Sequence, residues 1–183
     1  MNWYCDAAPG NPFHAPYHDG EYGFPVDDDV VLFERLCLEI FQAGLSWLIV
    51  LKRRESLRAA FAGFDPARVA LFGEEERQRL LGDPAVIRNR RKIDAVIGNA
   101  RRVQALRGGH GSFAGWLESR RLDGEAPRTK ESWVALFRST FLFMGPELVN
   151  EFLMSIGILP GAHREDCPVF GRIAKLSPPW MRE

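Results

Sequence analysis

The chain has 183 residues, a length that suits one compact domain with a real core. Its formal net charge is zero, which argues against a protein that binds nucleic acid through its overall charge. A zero net charge does not exclude a local basic face. No apolar run approaches the roughly 20 residues of a membrane span, no basic-then-apolar leader is visible, and three cysteines make a disulfide framework improbable. We therefore predict a cytoplasmic protein without disulfides.

Residues 1–26 are predicted to form an irregular arm that packs on the rest of the protein. Prolines and glycines interrupt any helical period, yet the segment is too aromatic for a disordered tail. Its aromatic residues are Trp3, Tyr4, Phe13, Tyr17, Tyr22 and Phe24. An arm of loop and aromatic side chains is suited to lining a pocket.

The segment after this arm is predicted to hold the functional centre. Apolar residues surround Glu39 at helical spacing, so its carboxylate should be buried, where a charge is costly without a partner. Gly44 can end that helix with a left-handed residue, and Ser46 can cap the next helix, which places Trp47 at its start. A buried acid and an aromatic plane at a tight turn suggest a small-ligand pocket. An ion pair with Arg35 in the same helix is the structural alternative.

The remaining segments also show helical periodicity, and none alternates convincingly as a strand would. The predicted helices cover about 66–72, 74–81, 87–106, 113–117, 132–143 and 148–156. Gly108 and Gly109 are expected to end the longest of these. We predict an all-α single domain over residues 1–183, with the arm 1–26, a helical body 27–160 and a C-terminal segment 161–183.

Two features of the helical body suggest contacts with DNA. The segment 88–107 carries seven basic residues against one acidic residue, which predicts a basic helix face, although such faces are also common as plain solvated surface. Residues 141–149 pair two helices through a Gly-Pro turn, and exposed amides at such a helix start can bind a phosphate. Two helices packed only for stability would give the same pattern, and Glu147 would repel a phosphate. The candidate DNA contacts are Met144, Gly145, Pro146, Arg88, Arg90 and Arg91.

Four possible metal ligands lie near the two ends of the chain. Cys5 and His18 belong to the arm, and His163 and Cys167 belong to the C-terminal segment. Two thiolates and two imidazoles make a tetrahedral zinc set, and four protein ligands leave no open position, so the zinc would be structural. By analogy with a cross-link that closes a loop of about 150 residues, it would contribute about 4–5 kcal/mol. A buried cysteine and a surface histidine without metal are the alternative.

Together these residues resemble the DNA-3-methyladenine glycosylase I family of bacterial alkylation-repair enzymes. The resemblance extends through nearly the whole chain. Its most specific motifs are Ala15-Pro-Tyr-His-Asp19, Gln42-Ala-Gly-Leu-Ser-Trp47, Ile87-Arg-Asn-Arg-Arg-Lys-Ile93, Phe143-Met-Gly-Pro146 and His163-Arg-Glu-Asp-Cys167. The resemblance implies an all-α helix-hairpin-helix fold, with a zinc clip of the four ligands named above. It also implies a monomer that acts on double-stranded alkylated DNA, releases the free modified base and needs no membrane.

The resemblance further assigns base recognition to Glu39 and places Tyr17, Tyr22 and Trp47 among the aromatic residues of the base pocket. Methylation at N3 makes adenine cationic and a good leaving group, so recognition of the extruded base matters more than acid catalysis. The carboxylate would accept a hydrogen bond from the exocyclic amine while the aromatic rings stack on the cation.

Tyr22 stands where the family usually has tryptophan, and three further positions depart from the family pattern. Ala7 and His14 replace expected aromatic residues, which leaves His14 as a further candidate for base contact. Asp166 stands where better-known members lack an acid, and we predict that it supports the metal ligand His163 more than it acts on the sugar. A DNA-binding module of the same fold without base release, and a zinc hydrolase, are the alternative functions.

Overall fold

The computed structural model describes residues 4–123, 127 and 129–182. Regular structure in these ranges is helical, without a strand, which confirms the all-α prediction. The α-helices are α1 (Tyr4–Ala7), α2 (His14–Gly20), α3 (Asp29–Gln42), α4 (Trp47–Ala60), α5 (Pro66–Val69), α6 (Glu74–Gly82), α7 (Arg90–His110), α8 (Phe113–Leu122), α9 (Lys130–Thr140), α10 (Pro146–Ser155) and α11 (Pro168–Ala174). Two single 3-10 turns lie at Ala62–Phe64 and Pro179–Met181. Within the described ranges, no helix combines the length and the apolar character needed to cross a membrane.

The chain divides into two compact units. Unit 1 combines Met1–Val26 with Asn150–Glu183, and unit 2 is the continuous segment Asp27–Val149. The sequence-distant segments of unit 1 are joined by main-chain contacts, for example from the Gly23 amide to the Ser155 carbonyl at 2.9 Å. The organisation of residues 1–183 as a single domain stays a prediction.

Helix α3 forms the centre of unit 2. The Asp28 carboxylate accepts hydrogen bonds from the amides of Val30 and Val31, at 2.8 and 2.9 Å, and so caps the first turn. Every residue from 32 to 41 is buried, because α3 packs against α4, α7 and α8. A helix that is apolar around most of its surface requires this degree of burial.

The turn between α3 and α4 follows the prediction in all but one respect. Gly44 has a φ of +78°, a left-handed conformation that suits glycine, and α4 begins at Trp47. Ser46 does occupy the position before α4, but its side chain makes no capping hydrogen bond. The prediction that the Ser46 side chain caps α4 is therefore wrong.

The long helix α7 differs from the prediction at both ends. Asn89 caps its start by accepting a hydrogen bond from the Lys92 amide at 3.2 Å, so Arg88 precedes the helix. Gly108 and Gly109 stay helical, and the helix ends before Gly111, which has a φ of +74°. Glycine ends a helix through a left-handed conformation and not through its presence alone.

Several short elements were predicted wrongly or missed. Residues 1–26 contain α1 and α2 where an irregular arm was expected. Pro16 is compatible with α2 because it lies in the first turn, where a backbone N–H would have no acceptor within the helix. Helix α11 follows the helix predicted to be the last regular one, and it begins with Pro168. Helix α9 begins at Lys130 because Thr129 caps it, so Ser132 lies within the first turn.

Candidate metal site and base-recognition site

The four predicted metal ligands lie together in unit 1. Their ligand atoms are all within 4.8 Å of one another, and all four residues are buried. The Cys167 Sγ lies 3.6 Å from His163 Nδ1 and 3.8 Å from His18 Nε2, and the Cys5 Sγ lies 3.7 Å from His163 Nδ1. Zn–S and Zn–N bonds of about 2.3 and 2.1 Å in a tetrahedron place sulfur and nitrogen about 3.6 Å apart. The donor set therefore fits a tetrahedral metal ion.

The outer nitrogens of both imidazoles are bound to oxygen acceptors. His163 Nε2 lies 2.7 Å from the carbonyl oxygen of Tyr22, and His18 Nδ1 lies 2.7 Å from a carboxylate oxygen of Asp19. The carbonyl and carboxylate oxygens act as acceptors, so we assign the ring protons to the outer nitrogens. The inner nitrogens, His163 Nδ1 and His18 Nε2, then carry the lone pairs and face the sulfur atoms. Metal-bound histidines commonly have such outer partners, which fix the tautomer and the ring orientation.

Asp166 does not support His163 as predicted. Its side chain is 74% exposed and accepts a hydrogen bond from Arg164 Nε at 3.0 Å. Both nitrogens of the His163 ring are occupied by other groups, the outer one by Tyr22 and the inner one by the two sulfur atoms. The residues that orient the imidazoles are therefore Tyr22 and Asp19.

Burial also shifts the titration of two of the four candidate ligands. Burial raises the pKa of the Cys5 thiol, and the adjacent Cys167 thiol raises it further. Burial lowers the pKa of His163, which favours the neutral imidazole that can act as a ligand. A metal ion bound here would favour the thiolate forms of the two cysteines, because its positive charge would compensate theirs.

The predicted aromatic residues of unit 1 surround a residue that the sequence analysis did not select. The ring of Tyr4 makes edge contacts with His14, His18 and Tyr22 at 5.4–5.5 Å between centroids, and with Tyr17 at 6.4 Å. Its hydroxyl lies 3.0 Å from His14 Nδ1, and burial lowers the pKa of His14, which favours a neutral ring that accepts this bond. The sequence indicated Tyr4 only as one of the aromatic residues of the arm and as the neighbour of Cys5.

Glu39 and Trp47 occupy the places in unit 2 that the sequence predicts. Glu39 is 5% exposed in the last turns of α3, and the ring of Trp47 is half-buried at the first position of α4. Arg35 is also buried in α3. A second buried carboxylate, Glu34, was not predicted; it accepts hydrogen bonds from Arg54 Nε at 2.6 Å and Arg58 Nε at 2.7 Å, and so ties α3 to α4.

The predicted basic face requires a correction at Lys92. This residue is only 5% exposed, and its ammonium group donates hydrogen bonds to the carbonyl oxygens of Phe41 at 2.8 Å and Ala43 at 2.5 Å. Burial lowers the pKa of this ammonium group. Arg88, Arg90 and Arg91 are exposed, as the prediction of a basic face requires.

The Gly-Pro turn before α10 is held by three side chains from unit 2. The buried amide of Asn99 accepts from the Leu142 amide at 2.7 Å and donates to the Leu142 carbonyl at 3.1 Å. Arg138 Nε donates to the Met144 carbonyl at 3.0 Å, and the Arg91 guanidinium lies 6.0 Å from the centroid of the Phe143 ring.

The predicted DNA contacts of this segment lie in the turn and at the start of α10. Met144 is buried, Gly145 precedes the helix and Pro146 is the first residue of α10. Glu147, the acidic residue expected to repel a phosphate, accepts a hydrogen bond from Lys130 Nζ at 2.9 Å. The lysine compensates part of that negative charge.

Several known proteins that are similar to this chain in sequence or fold are DNA glycosylases. The chain belongs to the methyladenine glycosylase family, whose model matches residues 7–170, and this confirms the resemblance predicted from the motifs. The DNA-3-methyladenine glycosylase of Haemophilus influenzae is 32% identical over 182 residues, 92% of this chain and 98% of that protein. DNA-3-methyladenine glycosylase 1 of Escherichia coli is 52% identical over 97 residues, so the match spans about half of each chain, 53% of this one and 52% of that one.

A solved structure is similar over nearly the full length. The crystal structure of a tyrosine-to-phenylalanine variant of 3-methyladenine DNA glycosylase I, in complex with 3-methyladenine, matches with a TM-score of 0.81 and 31% identity. The match covers 92% of this chain and 97% of that one.

Proposed function

We propose that this protein releases 3-methyladenine from alkylated double-stranded DNA by hydrolysing the bond between base and sugar. The observation that carries the proposal is the full-length similarity, with a TM-score of 0.81, to a glycosylase structure that contains 3-methyladenine. The buried Glu39 supports it, because a carboxylate in an apolar helix beside a turn that presents an aromatic ring suits a planar cation.

Recognition of charge is the central step of the proposed mechanism. The enzyme would act on a base extruded from the duplex, and a damaged, weakly stacked base costs least to extrude. Glu39 accepts a hydrogen bond from the exocyclic amine and opposes the positive charge of the methylated ring, while Trp47 stacks on that ring. The family resemblance assigns base contact to Tyr17, Tyr22 and His14 of unit 1 as well. Neutral adenine gains less from each of these interactions.

We propose one structural zinc ion on Cys5, His18, His163 and Cys167. The four protein ligands complete a tetrahedral set, so the zinc supplies cross-linking and charge compensation to the buried thiolates and no reactive water. Its effect on function is therefore indirect: the ligands hold α1 and α2 to the segment that precedes α11. Asp166, whose exposed carboxylate pairs with Arg164, is the second catalytic candidate.

We also propose that the turn before α10 forms the hairpin that holds one DNA strand. Amides at the start of α10, near Gly145 and Pro146, would bind a phosphate, and the exposed Arg88, Arg90 and Arg91 would add charge contacts. The contact of Arg91 with Phe143 supports this, because it holds one arginine beside the turn.

The test is direct measurement of base release. Duplex DNA treated with a methylating agent is incubated with the protein, and the soluble fraction is analysed for free 3-methyladenine by chromatography, with untreated duplex as the control. We expect release from the treated DNA alone. A DNA-binding module would retard the DNA on a gel and release no base. A zinc hydrolase would need a metal-bound water in its substrate cleft, whereas a structural ion predicts one zinc whose removal by a chelator lowers the thermal stability.

A further inference from the structure

Lys92 is a buried cation that links α7 to the end of α3. It projects from α7 between fully buried residues, Ile93 and Val96, whereas Arg90 and Arg91 of the same turn are exposed. Its ammonium group reaches the end of α3 and donates to the carbonyls of Phe41 and Ala43. The last carbonyls of a helix lack intrahelical partners and carry the negative end of the helix dipole, so a cation there is favourable.

The segment that Lys92 contacts joins the two residues assigned to base recognition. Glu39 lies two residues before Phe41, and Trp47 lies four residues after Ala43. Between them the chain passes through the left-handed Gly44. The main-chain hydrogen bonds across this turn include one of 3.3 Å from the Ala43 amide to the Glu39 carbonyl and one of 2.7 Å from the Leu45 amide to the Gln42 carbonyl. A turn with one long bond and a glycine at its apex has little intrinsic rigidity.

We propose that Lys92 is a positioning residue for base recognition. By binding both carbonyls, it fixes the turn between α3 and α4 and so maintains the separation of the Glu39 carboxylate and the Trp47 ring. This inference rests on the proposed function, in which one of these groups accepts a hydrogen bond from the base and the other stacks on it. Recognition of a rigid planar ligand is sensitive to such spacing, and a misplacement of about 1 Å can reduce a rate by about 100-fold.

The test compares Lys92→Met with Arg54→Met. Both variants remove a buried cation that contacts α3, but Arg54 bonds to the Glu34 carboxylate, away from the turn. Three quantities are measured below the unfolding temperature of both variants: single-turnover release of 3-methyladenine, the dissociation constant for free 3-methyladenine, and hydrogen exchange of the amides of residues 43–47.

We expect Lys92→Met to lower the release rate and weaken base binding by about 10- to 100-fold, because the two recognition groups lose their fixed spacing. The same variant should accelerate exchange in residues 43–47. Arg54→Met should lower the unfolding temperature yet keep release and base binding within about threefold of the unaltered protein.

Two results would overturn the inference. One is a Lys92→Met protein with unaltered base binding; the other is an equal loss of base binding in both variants, which would make Lys92 a purely structural residue. If Lys92→Met does not fold, Lys92→Gln, which keeps one donor group, takes its place under the same criteria. Absence of base release by the unaltered protein would refute the proposed function instead, and the exchange measurement would still test whether Lys92 fixes the turn.

Discussion

Replacement of Glu39 by glutamine tests whether the protein selects its base by charge. The change keeps the shape of the side chain and removes its negative charge at a position that is 5% exposed. A hydrogen bond to a charged group in such an environment contributes about 1.5–3 kcal/mol. At 1.36 kcal/mol for each factor of ten, Glu39→Gln should reduce the rate of excision by about 10- to 150-fold.

Glu34→Gln is the matched control for this experiment. Glu34 belongs to the same helix and is equally buried, at 4%, but its carboxylate accepts hydrogen bonds from Arg54 and Arg58. Its replacement should lower the free energy of unfolding by about 1–3 kcal/mol, because a buried arginine loses its charged acceptor. Excision should stay close to that of the unaltered protein. The assay is single-turnover release of 3-methyladenine from methylated duplex, with the enzyme in excess.

Selection of the base by charge is refuted if Glu39→Gln excises the base within about threefold of the unaltered rate, since loss of a buried charged acceptor should cost at least about tenfold. It is also refuted if Glu34→Gln loses excision to the same extent, because the effect would then follow from damage to α3. Thermal unfolding of both variants, measured in parallel, separates these cases.

Three further predictions concern the metal site, the turn before α10 and the DNA contacts. Cys167→Ala should lose the single zinc ion measured by atomic absorption and about 4–5 kcal/mol of stability, whereas Cys37→Ala, which removes the buried cysteine of α3 outside the metal cluster, should retain the metal. Asn99→Ala should lower the free energy of unfolding in urea by about 1–3 kcal/mol, because two main-chain groups lose their partner. Arg91→Met should weaken DNA binding and reduce the slope of log affinity against log salt by about one. Arg101→Met is the control, because the Arg101 guanidinium donates to main-chain carbonyls within unit 2, and this variant should leave the slope unchanged. An equal change of the slope in both variants would refute the contact between Arg91 and DNA.

Side-chain chemistry and periodicity were sufficient to predict the most regular parts of the molecule. The continuous apolar pattern around Glu39 predicts a buried helix, and Gly44 marks its end by a conformation that other residues adopt at a cost. The metal cluster was predictable for a different reason: Cys5, His18, His163 and Cys167 include two thiols and two imidazoles in segments with few other anchors.

The missed features depend on information that a linear pattern lacks. Helices α1 and α2 have four and seven residues, too few to display a helical period. Lys92 was counted with its exposed neighbours, because charge type does not reveal which face of α7 a residue occupies. The role of Asn99 depends on its contact with Leu142, which lies 43 positions later in the chain, and the role of Tyr4 depends on its contact with His14, which lies 10 positions later. No local sequence pattern indicates these contacts.

The discontinuity of unit 1 has a consequence for synthesis on the ribosome. Unit 2 is a continuous segment, so it can acquire its structure while the nascent polypeptide is still emerging, whereas unit 1 must wait for the residues that follow position 149. During that interval Cys5 and His18 lack the two other members of the candidate metal site, His163 and Cys167. The proposed zinc site can therefore be completed only after His163 and Cys167 have left the ribosome.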